Sequence, residues 1–149
     1  MSLWDALTSI DNLSDSFLWG PDAHVALNNL VSGSALGGRS EELRGRSVLI
    51  ATTDQLTAAL ALIELDGVAR RLVLCPADLP LQHFSSVMES AAVDAIVSDR
   101  STLGPNVPEV GCYVTCSPGI VPAHAGRRVS HQTEWVAAAL SRASSTLSV

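Results

Sequence analysis

Apolar and polar positions follow two periods along this chain, and the change from one to the other marks its elements. Between Leu43 and Asp99, three short apolar runs are separated by two helical patterns. Arg46-Ser-Val-Leu-Ile-Ala51 has the continuous apolar character of a buried strand, and Leu72-Val-Leu-Cys75 and Ala95-Ile-Val97 repeat it. Between the first two runs, Leu56, Leu60, Ile63 and Gly67 fall three to four residues apart, the spacing of one helix face. Thr52-Thr-Asp-Gln55 predicts a capping box at the start of this helix, with the Thr52 hydroxyl and the Gln55 side chain satisfying orphan amides reciprocally; Gly67 predicts a left-handed stop. A second helix is predicted over residues 80–92, with Pro80 in the first turn and Phe84, Val87, Met88 and Ala91 as its apolar stripe. Parallel strands need crossovers of this kind. The β-α-β-α-β order therefore predicts an α/β fold, a parallel, Rossmann/flavodoxin-like sheet of four to five strands with flanking helices.

The flanks are less regular. Residues 1–38 read as a helical/loop segment packing on the core. Trp4, Leu7, Ile10, Leu13 and Phe17 are spaced for one or two short amphipathic helices, Trp19-Gly-Pro-Asp22 is a turn, and Val25 to Val31 is a further short element. Ser32-Gly-Ser-Ala-Leu-Gly-Gly38 reads as a flexible loop before the sheet begins. After the third strand, residues 101–108 are loop-like, Gly111 to Cys116 has the composition of a fourth strand, Ser117-Pro-Gly119 turns the chain, and Val129 to Val136 predicts one more strand. The α/β subdomain thus occupies residues 39–136. Residues 137–149, rich in alanine and serine, are poor core material and read as a mobile tail.

With 149 residues, 15.6 kDa, 47% hydrophobic and 16% charged residues, the chain suits one compact domain. A net charge of -6 argues against nucleic acid or an anionic membrane as partner, since either needs a clustered basic surface. All nine positive residues are arginines. The absence of lysine excludes a Schiff-base enzyme and a Walker-type phosphate loop. No positive side chain precedes Arg39, so a secretory start is not expected, and no apolar run approaches the ~18–20 residues of a membrane span. A cytoplasmic protein is the expectation.

Candidate chemistry is sparse. Cys75, at a strand end, reads as a small core residue. Cys112 and Cys116, on one strand, would place their sulfurs on one face about 13 Å apart at ~3.3 Å per residue, too far for a disulfide or a shared metal. Thr52-Thr53-Asp54 lies where open α/β sheets bind ligands, but it has no glycine and Asp54 would repel an anion, so a helix cap is favoured over a phosphate site. Ser98-Asp99-Arg100 occupies the equivalent place after the third strand. Arg100 there could meet a carboxylate or phosphate, with a solvated loop the favoured alternative. His24, His83, His124 and His131 show no paired metal spacing, and no nucleophile elbow accompanies them. His83 reads as exposed, and His131 beside Ser130 as a surface residue rather than a general base.

The order Leu43-Arg-Gly-Arg-Ser-Val-Leu-Ile, Ala58-Ala-Leu-Ala-Leu-Ile-Glu-Leu-Asp-Gly67, Leu74-Cys-Pro-Ala-Asp-Leu-Pro80 and Val93-Asp-Ala-Ile-Val-Ser-Asp99 resembles the N-terminal subdomain of adenylate-forming enzymes, the acyl-CoA synthetases and their AMP-dependent synthetase and ligase relatives. His131-Gln-Thr-Glu-Trp-Val136 is similar to the strand that, in that family, leads into a Thr-Ser-Gly-Thr-Thr-Gly-x-Pro-Lys phosphate loop; here Ala137-Ala-Ala-Leu-Ser-Arg follows instead. The resemblance implies a parent that activates a carboxylate with ATP and Mg and passes the acyl group to a thiol such as CoA. It implies no catalytic, cofactor-binding or metal residue in this chain, which reads as a fragment truncated before the phosphate loop and inactive by itself. The alternative is a stand-alone flavodoxin-like protein-binding module. The helix over 53–66, apolar on more than one face, further predicts a homodimer unless residues 1–38 cover it.

Overall fold

A computed structural model describes residues 1–101, 103–104 and 107–122. Its elements in chain order are α1 (Leu3–Thr8), β1 (Phe17–Trp19), β2 (His24–Ala26), α2 (Leu27–Ser32), β3 (Gly33–Ser34), β4 (Ser47–Ile50), α3 (Gln55–Leu65), β5 (Arg71–Leu74), α4 (Phe84–Ser90), β6 (Ala95–Ser98), β7 (Cys112–Thr115) and β8 (Val121–Pro122). Short 3-10 turns cover Leu13–Asp15, Ser40–Leu43 and Leu81–His83. The predicted strand over 129–136 and the tail over 137–149 lie outside the described residues.

The main sheet is parallel with order β5-β4-β6-β7, so the chain moves outward from β4 in one direction and then crosses back beyond it. This is the flavodoxin-like order, with its switch point between β4 and β6. Both central strands are buried along their whole length. Their side chains divide by parity. Val48 and Ile50 of β4, Ala95 and Val97 of β6 and Val114 of β7 face a core shared with α3, including Leu56, Leu60 and Leu65. Leu49, Ala51 and Ile96 face the opposite core, made with Phe84 and Met88 of α4 and with Leu103. A period of two along each strand thus yields three layers.

The faces of α3 turned away from the sheet are covered within the chain. Trp4, Leu7, Leu13 and Leu18 pack on the same core as Ala58 and Leu62, and the Leu3 N–H donates to the Asp66 carboxylate just beyond the end of α3. Gly67 follows with φ +83°, the left-handed stop that the sequence predicts. At the N-terminus the Trp4 to Phe17 stripe divides. α1 stops at Thr8, Ile10 is exposed, and Phe17 enters a strand, because Phe17–Trp19 pairs antiparallel with His24–Ala26 across the predicted turn at Trp19-Gly-Pro-Asp22.

The segment 32–38 is not the flexible loop its composition suggests. Gly33–Ser34 pairs antiparallel with Val121–Pro122, and Ala35 and Leu36 are buried in the core. The Ser34 hydroxyl accepts hydrogen bonds from the Leu36 N–H at 3.1 Å and the Gly38 N–H at 3.0 Å, which ties the turn upon itself. Among the described residues, no helix is long and apolar enough to cross a membrane.

Candidate functional site

Ligands of open α/β sheets sit at strand carboxyl ends beside the switch point, here where β4 leads into α3 and β6 leads into residues 99–101. The Ala51 N–H donates to the Val97 carbonyl at 2.8 Å, so the ladder continues one residue past β4 and delays the helix. Asp54 then caps α3, its carboxylate accepting from the Thr57 N–H at 2.8 Å and the Thr57 hydroxyl at 2.7 Å. The predicted Thr52/Gln55 capping box is therefore replaced by a cap two residues later. Thr52 instead donates its hydroxyl to the Asp54 carbonyl at 3.1 Å.

Across the switch point, one Asp99 carboxylate oxygen accepts from the Thr53 N–H at 2.7 Å, the Thr53 hydroxyl at 2.5 Å and the Asp54 N–H at 3.1 Å. Two backbone amides and a hydroxyl converging on one oxygen at a helix start is the geometry by which such termini hold anions. The anion here is a side chain of the same fold. Burial pushes the Asp99 carboxyl up, but the hydrogen bonds from the Thr53 side chain and from the Thr53 and Asp54 backbone outweigh it and hold the group below its ordinary value. Asp99 is thus a structural link rather than part of a solvated loop. Its second oxygen is buried with no hydrogen-bond partner among the described residues. Arg100 is exposed. Its N–H donates to the Ser98 hydroxyl at 3.1 Å and its carbonyl accepts from the Tyr113 hydroxyl at 2.8 Å.

Beside this link lies a cavity of about 60 Å³ walled in part by Ala51, Thr52, Cys75, Pro76, Phe84 and Arg100. That is room for about two waters, well short of the ~300 Å³ at which small-molecule sites begin. Cys75 is half-buried rather than a core residue, and burial, then the nearby Asp78 charge, pushes its thiol up. Cys112 and Cys116 lie on the same face of β7 and its extension, as expected, and both are free thiols. Burial, aided by Glu64, pushes the Cys116 thiol up to about 12.

A larger open groove of about 680 Å³ runs on the α3 side, past Trp4, Asp5, Leu30, Arg44, Glu64 and Asp66. Glu64 is its best-defined member. Its carboxylate accepts from the Ser34 hydroxyl at 2.8 Å and from the Ala35 N–H, pinning the 33–38 turn to α3. Burial raises the Glu64 carboxyl above its ordinary value despite those bonds. Sequence reasoning missed this residue because its partners lie about thirty positions away.

Among the described residues, no group of three His, Cys, Asp or Glu side chains could hold a metal ion. His83 is exposed in the 3-10 turn before α4. His24 stacks on Trp19 with ring centroids 4.6 Å apart, and Phe17 completes the group, 6.2 Å from Trp19 and 5.6 Å from His24. The signal for this row was present in the alternation Phe17-Leu18-Trp19 and in a turn that brings His24 opposite. His124 and His131 lie outside the described residues.

No family model and no curated protein matches this chain. Solved structures do match it. The N-terminal subdomain of NpsA from Klebsiella oxytoca, in complex with 3-hydroxybenzoyl-AMSN, is similar at a TM-score of 0.56 and 11% identity, over 80% of this chain and 32% of that one. The same subdomain with anthranilyl-AMSN gives 0.57 and 14%, over 81% and 34%. An artificially fused adenylation-PCP di-domain, NpsA-ThdA, gives 0.58 and 12%, over 80% and 24%. This chain accordingly has the fold of part of the NpsA N-terminal subdomain and spans about a third or less of the length of the chains it matches.

Proposed function

We propose that this chain is the amino-terminal part of an adenylate-forming enzyme and that it contributes scaffold rather than chemistry. The observation that carries the reading is the parallel β5-β4-β6-β7 sheet between α3 and α4, which resembles the NpsA N-terminal subdomain over four fifths of this chain. The same segments carry the resemblance in sequence. The whole enzyme would activate a carboxylate with ATP and Mg and transfer the acyl group to a thiol such as CoA, in the cytoplasm. Aromatic carboxylates are the class to try first, given the 3-hydroxybenzoyl and anthranilyl groups on the AMSN ligands bound by NpsA. No residue of this chain is assigned to hold nucleotide, metal or acyl group. The 149 residues contain no lysine and no Thr-Ser-Gly-Thr-Thr-Gly-x-Pro-Lys loop, and Asp99 occupies the amides where a helix start could otherwise meet an anion.

Pyrophosphate exchange with a panel of carboxylates, including 3-hydroxybenzoate and anthranilate, tests the absence of chemistry. The expected result is no exchange by this polypeptide. Exchange that is lost on denaturation would overturn it. The family reading has its own test in the coding DNA: a Thr/Ser/Gly-rich run ending near Pro-Lys, in either alternative frame beyond codon 136, would identify a parent enzyme and a frameshift. A second reading, a stand-alone flavodoxin-like protein-binding module, is favoured by the switch point, where Asp99 takes the place a small-molecule anion would occupy and leaves the outer faces to meet a protein partner.

A further inference from the structure

The β1–β2 ribbon buries one face and leaves the other open. Leu18 and Val25 face the core, while Phe17, Trp19 and His24 form a continuous row on the outer face. Trp19 is 74% exposed and Phe17 42%, so the cost of wetting two large rings is not met by packing within the described residues. His24 covers only one face of the Trp19 indole. Two carboxylates flank the ribbon along the chain: Asp15 ends the 3-10 turn two residues before Phe17, and Asp22 lies in the loop that the Gly20 N–H closes onto the Ala23 carbonyl at 2.7 Å. Both are exposed, and among the described residues neither forms an ion pair. The first 38 residues carry four aspartates and no positive side chain.

We propose that this aromatic row is a docking surface for a basic, arginine-bearing peptide segment of a partner protein. Open indole and phenyl faces attract cations through the ring quadrupole, and a guanidinium can lie flat on a ring while its edge reaches a carboxylate. An apolar partner would leave Asp15 and Asp22 facing nothing, and an acidic one would be repelled by them. A basic segment satisfies rings and carboxylates together. The proposal goes beyond the enzyme reading and does not depend on it.

The test is fluorescence anisotropy of a fluorescein-labelled hexapeptide alternating glycine and arginine, titrated with the full chain at 50 mM and 300 mM salt, beside a glycine–glutamate control. The expected result is saturable binding of the arginine peptide alone, weakened at high salt and weakened at least fivefold by Trp19→Leu, which keeps apolar bulk but removes the ring face. The double change Asp15→Asn with Asp22→Asn lies off the packed face and guards against a folding artefact. It is expected to weaken binding at least threefold with an unchanged circular dichroism spectrum. No saturable binding overturns the proposal. So does equal binding by the Trp19→Leu chain, which would mean that the net charge alone holds the peptide, or an unaffected double variant. A dimer that forms through the row and excludes the peptide would assign the surface to a second copy and likewise overturn it.

Discussion

Glu64 offers the most discriminating perturbation, because two substitutions there should differ in size and in their response to pH. Replacing it by alanine removes the acceptors of the Ala35 N–H and the Ser34 hydroxyl. Ala35 is 3% exposed and Ser34 6%, so water entering from the open groove that Ser34 and Glu64 line replaces the carboxylate only in part. A buried donor left unpaired costs about 1–3 kcal/mol, and relief from burying a charge returns part of that for the pair. The expected net loss for Glu64→Ala is about 2 kcal/mol, or about 4–8 °C in Tm for a chain of this size. Glu64→Gln keeps an oxygen for the Ala35 N–H, but the Ser34 hydroxyl already accepts from Leu36 and Gly38 and cannot take the new amide, so a loss of about 1 kcal/mol, smaller than that of alanine, is expected at neutral pH. The pH dependence sharpens the contrast. Because the folded Glu64 carboxyl titrates above its ordinary value of 4.5, its contribution is fully present below that value and is lost as pH rises through the folded one. The wild-type chain should therefore gain on Glu64→Gln as pH falls from 8 toward 4.5. Urea unfolding followed by circular dichroism at several pH values reads all three quantities. An alanine variant within 0.5 kcal/mol of wild type, a glutamine variant as damaged as alanine, or a pH-independent gap would refute the reasoning.

Other expectations follow from the same structure. Asp99→Ala should cost about 1–2 kcal/mol at pH 7. With the folded carboxyl held below its ordinary 3.8, that loss should vanish as pH falls through the folded value, the opposite sense to Glu64; paired urea titrations at pH 7 and in acid check it. Leu60→Ala, at a fully buried position on α3, should destabilise by about 2–5 kcal/mol in the same assay. A thiol reagent should modify Cys75 and Cys112 in the folded chain and reach Cys116 only on unfolding, as timed labelling and mass analysis would show. A two-fold homodimer is tested by sedimentation over a wide concentration range. A mass of 15.6 kDa throughout would remove it, and the cover that residues 1–18 place on α3 makes that the expected outcome.

The sheet was legible because its signals are local. Ser47 to Ile50 and Ala95 to Ser98 are apolar enough to be buried on both faces, and the Leu56, Leu60, Ile63 spacing with Gly67 defines a crossover helix and its end. What was illegible depends on residues distant in sequence. Serines and glycines at 32–38 read as a flexible loop until Glu64 and β8 are brought against them. The Trp4 to Phe17 spacing fits a helix, but pairing with His24–Ala26 claims Phe17 for a strand. The role of Asp99 needs the knowledge that β6 lies beside β4, which follows from strand order and not from any motif around Ser98-Asp99-Arg100.

The pairing of Gly33–Ser34 with Val121–Pro122 imposes an order in time as well as in space. During synthesis the first partner emerges long before the second, and at 5–20 residues per second the interval is roughly 4–18 s. Throughout it β3 has no strand to pair with, while β4, α3 and β5, close in sequence, are free to assemble. Closing the β3–β8 ribbon is then a late event that ties the N-terminal segment to the far end of the sheet. A nascent chain stalled before residue 121 should hold the 33–38 turn through Glu64 without β8, and should therefore leave it more open to proteolysis than in the finished chain.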